Sequence, residues 1–237
     1  MKIKSIFILG IATLAMLSCH RGPKPPVSQQ NLPISMSKPA KGDKAIYGLA
    51  CMGCTDSVVI MLPNQGGDPV KYNILEANRN RQVFGNIEVG DWICIIPAKE
   101  KNKASMVIDL DKLKATWTYQ VMPHLRDVTH LSKKQQRILA NMPDSIVETY
   151  MIPREYGFTL KRMGEARSVG MVATNSSVED DSPVEYPKVP LYTEWHAYNG
   201  KLILVKGRYE FNNVVFNKKT TYDTLSFVYM KDDSLAL

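Results

Sequence analysis

Acidic residues are in deficit: the 237-residue chain has 23 Asp and Glu against 30 Lys and Arg, a formal net charge of +7. The excess is modest and no basic stripe interleaved with aromatics accompanies it, so no nucleic-acid role is expected. Cysteines number only four, which excludes a disulfide-dense scaffold. No apolar run reaches the roughly 18 to 20 residues of a spanning helix, so a multi-span membrane protein is excluded. There is no second Cys-x-x-Cys, no His-x-x-x-His and no Gly-x-Ser-x-Gly, and His20, His124, His130 and His196 are scattered. Metal-ligand spacing and a nucleophile beside a base are both missing, so no enzyme activity, no cofactor and no metal set is assigned. The acidic run Glu179-Asp180-Asp181, just before Ser182-Pro183, reads as a solvated loop rather than a carboxylate dyad. What remains is enough chain for two domains of about 100 residues each.

The first 18 residues read as a signal peptide. Lys2 and Lys4 form a basic n-region, and residues 6–17 form an apolar h-region of export length, too short for a stop-transfer helix. Ser18-Cys19 then places a small residue before a cysteine. This arrangement resembles the loose Leu-Ser-Cys lipobox of Bacteroidetes-type lipoproteins, and the resemblance implies that Cys19 becomes the acylated N-terminus. Residues 19–43 carry Pro23, Pro25, Pro26, Pro33 and Pro39 and few large apolar side chains, the composition of an extended tether. The expected address is therefore a lipid-anchored protein of the cell membrane. Basic rather than acidic residues after Cys19 favour the outer membrane's periplasmic face.

Residues 44–109 read as a small antiparallel β-barrel or half-barrel. The β-branched run 58–62 ends in the turn chemistry of residues 63–69, short strands are expected at 72–75 and 82–84 around the polar cluster 78–81, and Gly90-Asp91 punctuates a strand of buried character ending at Ile96. Residues 106–108 complete the unit. Tyr47 and Gly48 run into Cys51-Met-Gly-Cys54 and then a strand. That order resembles the N-terminal barrel of copper-resistance and envelope-stress lipoproteins. Cys51 and Cys54 can form a structural disulfide, remain buried thiols, or supply two soft ligands to a metal or redox site. Cys94 is the remaining cysteine of the globular part, either a third thiolate or a small apolar residue in a strand.

Residues 110–237 carry a second pattern. Ala115-Thr116-Trp117 stands where lipocalin-like domains place Gly-x-Trp. Hairpins are expected about Met163-Gly164-Glu165, about Asn199-Gly200, which is the strongest short hairpin signal, and about residues 231–233. The series resembles the lipocalin-like domain of Bacteroidetes lipoproteins, which implies an antiparallel barrel with Trp117 at its floor over Leu110 and Leu113. Trp195-His196 lies on an alternating strand, so one of the two faces inward; Trp195 would be core or pocket wall. A helical insertion is expected over about 129–150, where Ser132 and Gln135 fit a capping box and Ile138, Leu139 and Met142 share a face. The chain ends at Leu237 inside an outgoing strand, which leaves barrel closure open.

The expectation is thus a mainly β protein: an N-terminal small β-barrel plus a C-terminal lipocalin-like antiparallel β-barrel with a helical insertion. Its expected role is that of a non-catalytic envelope lipoprotein, meeting the membrane through its N-terminal lipid. Its barrel is either packed with side chains or open to a small apolar ligand. A metal- or redox-responsive envelope stress sensor working through Cys51 and Cys54 is the alternative.

Overall fold

A computed structural model describes residues 40–170, 182–207, 209–211, 214–216 and 219–237. The signal peptide, Cys19, most of the tether and the acidic loop at 179–181 lie outside the described residues. The fold is mainly β.

The first half builds one sheet from β1 (Ile46–Ala50), β2 (Val58–Pro63), β3 (Val70–Asn73), β4 (Val83–Phe84), β5 (Trp92–Pro97) and β6 (Ala104–Asp109), in the order β3-β2-β1-β5-β6-β4. All neighbours are antiparallel except β4, which runs parallel to β6. Both faces are covered, and the two-residue period sorts the side chains between them. Trp92, Cys94 and Ile108 join Ala45 and Tyr47 in one cluster, while Ile93, Ile95 and Val107 join Val59, Met61 and Tyr72 in another. Leu75, expected to end a strand, instead opens a short helix, α1 (Leu75–Arg79), which runs into the polar cluster at 78–81 and lays Ala77 into the second buried cluster. The Asn73 Oδ1 accepts from Leu75 N at 3.0 Å and turns the chain into this helix. At the far edge, Asn73 N donates to Asn102 O at 2.8 Å and pairs as a single bridge with Lys103. That is one bridge and not a ladder, so the sheet curls without closing.

No linker separates the halves. β6 runs directly into α2 (Leu110–Leu113), and Asp109 Oδ1 caps it by accepting from Asp111 N and Lys112 N at 2.9 Å each. Leu110 and Leu113 are completely buried in the cluster against which Trp117 packs. The chain continues through β7 (Thr116–Val121), β8 (His124–Leu125), α3 (Lys133–Ala140), α4 (Asp144–Tyr150), β9 (Arg154–Leu160), β10 (Ala166–Val169) and β11 (Val184–Glu185). It ends with β12 (Glu194–Tyr198), β13 (Lys201–Lys206), β14 (Tyr209–Phe211), β15 (Val214–Phe216), β16 (Thr221–Ser226), β17 (Tyr229–Lys231) and β18 (Ser234–Ala236).

These strands form small sheets, β10-β9-β7 and β12-β13-β16, with the pairs β8-β11, β14-β15 and β17-β18. Among the described residues none closes into a barrel, because β10 and β12 meet only through the bridge Glu165↔Glu194. The outgoing strand expected to run unbroken to the turn at 231–233 is interrupted after Ser226. Phe227 leaves the β13–β16 ladder and packs on Phe84, ring centroids 5.4 Å apart.

One buried cluster contains Tyr47, Phe84, Trp92, Cys94 and Ile108 together with Leu160, Trp195, Leu202, Leu204, Phe227 and Met230. The expected boundary at 109/110 therefore falls inside a single compact unit. A polar contact crosses it too: the Tyr47 hydroxyl, 2.7 Å from Asp43 Oδ2 on its own side, lies 3.0 Å from Ala197 O on the other. The helical insertion is present, with both halves of the Ser132–Gln135 capping box made. Its expected apolar face is only partly covered. Gln135 is the buried residue of α3, and Ile138 stays 40% exposed.

Candidate functional site

The Cys51-x-x-Cys54 segment closes the β1–β2 hairpin. Cys51 N donates to Ile60 O at 2.7 Å, and Thr55 pairs with Val58 around the tight turn beyond. Gly53 supplies the left-handed backbone (φ 96°) that folds the four residues back, a conformation that costs glycine little. Cys54 Sγ accepts from Ile60 N at 3.4 Å and lies 3.2 Å from Cys51 O. Both thiols are free and half-buried.

Cys94 is a free thiol as well, but a distant one. Tyr47 pairs with Cys94 across β1 and β5, four positions before Cys51, and four strand residues span about 13 Å. A three-thiolate site is therefore not built, and among the described residues no group of three or more His, Cys, Asp or Glu is arranged to hold a metal. Burial, reinforced by the Asp43 carboxylate, holds the Cys94 thiol well above its usual range. It is chemically quiet. Tyr47 is likewise pushed far up, chiefly by burial and then by Cys94 and Asp43.

Of the two tryptophans, Trp195 takes the core place that was one of its two expected roles, and Trp117 is less buried than a barrel floor would make it. Trp195 is 3% exposed, belongs to the shared core, and donates Nε1 to Lys161 O at 2.8 Å. Trp117 is half-buried, packs at the margin of that core opposite Phe158, and donates Nε1 to Leu113 O at 2.9 Å. Thr116 and Thr118 are exposed on the other face of β7, as alternation requires. His196, beside Trp195, is half-buried, and burial keeps its imidazole below its usual value.

The cleft that the sequence did not reveal opens next to Cys54. It has a volume of about 770 Å³ and lies between the β2 and α1 side of the sheet and the β17–β18 hairpin. Gly85 N donates to Met230 O at 2.9 Å, and a Cβ on Gly85 would sit 2.6 Å from that of Asp109. Glycine suits this position on two counts, the close approach of Asp109 and a left-handed backbone of φ 94°. The walls come from segments about 140 residues apart, which is why no local pattern announces them; a positively charged residue in a helix-ending turn, Arg81, and another in a hairpin, Lys231, look like ordinary surface until they share a rim.

Compared with known protein families, with curated proteins and with solved structures, the chain matches none.

Proposed function

We propose that this chain is a non-catalytic lipoprotein of the cell envelope, held on the membrane by acyl chains at Cys19. The observation that carries the reading is the order Lys2 and Lys4, apolar residues 6–17, Ser18-Cys19 and a proline-rich tether. Each element has a physical role: charge for orientation, a short apolar run for export, a thiol for acylation, and an extended spacer. Several acyl chains make a lasting anchor, since each buried methylene contributes about 0.8 kcal/mol. The basic residues after Cys19 support the periplasmic face of the outer membrane. The second half is proposed to be lipocalin-like, on the strength of Ala115-Thr116-Trp117 and the three hairpins, with a small apolar ligand as its cargo. Cys19→Ala is expected to abolish incorporation of labelled palmitate and partitioning into detergent. Unchanged partitioning would remove the reading.

A sensor of metal or redox state is the second reading, supported by the free, half-buried thiols of Cys51 and Cys54. Thiol titration with and without added Cu(I) or Zn(II) tests it: the metal should protect two thiols in wild type and none in Cys54→Ser.

A further inference from the structure

Arg81 and Lys231 line the cleft beside Cys54, and neither makes a side-chain hydrogen bond or ion pair among the described residues. The same cleft has an apolar floor, formed by the buried Val59, Ile74, Phe84 and Met230. Val228, 68% exposed, and Tyr229, 48% exposed, extend that apolar surface along one wall. Asp56 is the single acidic residue among those lining the cleft, so one positive charge is left over. The volume of about 770 Å³ falls within the roughly 300 to 1,000 Å³ of small-molecule clefts. The walls are fixed on one another by the Gly85–Met230 hydrogen bond and the Phe84–Phe227 contact, so little ordering is needed before a ligand enters.

We propose that this cleft binds a small single-chain carboxylate, with its hydrocarbon chain against the apolar floor and its head between Arg81 and Lys231. One uncompensated cation matches a monoanion. A phosphate monoester, close to doubly charged at pH 7, would exceed that single excess, and a neutral apolar molecule would leave two cations facing it to no purpose. Arg81 sits at φ 56°, just past the end of α1, where glycine or asparagine is the usual occupant. That backbone offers a clean variant: Arg81→Gly removes the cation and suits the conformation. The site is independent of the anchor at Cys19; Val228 to Lys231 belong to the half proposed to be lipocalin-like, but the cleft does not depend on that half closing into a barrel, so either can fail alone.

The test uses the full chain in a neutral detergent, with octanoate and octanol as probes in equilibrium dialysis. Uptake by micelles is the same for every variant and cancels in the comparison. Octanoate should bind saturably and more tightly than octanol. Arg81→Gly and Lys231→Gln should each weaken octanoate about threefold to fivefold, the size of a partly exposed charge pair, and leave octanol unchanged. In a Cys51→Ser background, octanoate should also slow maleimide alkylation of Cys54, which lines the same cleft. Absence of saturable binding would overturn the proposal. So would equal affinity for octanoate and octanol, wild-type binding by both charge variants, or an alkylation rate indifferent to octanoate.

Discussion

At the scale of single residues, Asp109 ties stability to pH. It is fully buried, and its Oδ2 has no hydrogen-bond partner among the described residues. Burial first, and then the neighbouring Asp91 carboxylate, push its pKa up to about 7 against backbone bonds from Lys112 and Asp111 that pull it down. The folded protein therefore holds this proton more tightly than the unfolded chain, where the ordinary value is 3.8. The stabilisation from the proton is complete below that value and is lost as pH rises towards 7. Asn caps helices as well as Asp does, so Asp109→Asn should raise the melting temperature at pH 8 and leave it nearly unchanged at pH 4. Thermal unfolding followed by circular dichroism at several pH values measures this; a variant less stable than wild type at pH 8 would show that the carboxylate is not a liability. The tryptophans give a second comparison. Trp195→Ala opens a cavity in the shared core and should cost about 3 to 5 kcal/mol, whereas Trp117→Ala, at the core's margin, should cost less. Denaturant titration ranks the two, and the reverse order would contradict the burial.

Among elements, hairpins were the most legible in the sequence. Asn199 (φ 48°) and Gly200 (φ 75°) form the two-residue turn between β12 and β13 that Asn-Gly foretells. Met163 and Gly164 take left-handed backbone in the β9–β10 hairpin, and Asp232 does so between β17 and β18. The capping box of α3 was equally readable, because Ser at the cap and Gln at N3 act through bonds a few residues long. α1 was not, because a five-residue helix carries too little periodicity to stand out from the polar cluster it ends in. The α3 cap also defines an experiment. Ser132→Ala should cost the helix about 1 kcal/mol, and because α3 buries little, the loss should stay local. Amide exchange in residues 133–140 should speed up about fivefold while the global melting temperature hardly moves. A large global loss would mean that α3 is part of the cooperative core.

For the whole molecule, the expected division into two domains failed for a reason visible in β5. Its run Trp92-Ile93-Cys94-Ile95 is buried on every residue, and a strand apolar on both faces needs a second layer over it. That layer is the second half of the chain. The cleft at Cys54 escaped detection for the same reason, since it exists only where the halves meet. Unfolding should accordingly be one transition, with tryptophan fluorescence and circular dichroism coinciding; two separated transitions would restore the boundary at 109/110. The shared construction also settles how the body bears a pull. Lys44 N donates to Asn199 Oδ1 at 2.8 Å, Asn199 N to Asp43 Oδ1 at 3.0 Å, and the Tyr198 hydroxyl to Lys41 O at 3.4 Å. Force arriving along the backbone from residue 40 meets this clasp first and then β1, which is flanked by β2 and β5. Traction along a strand paired on both sides loads its hydrogen bonds side by side, all at once, instead of peeling them apart in succession.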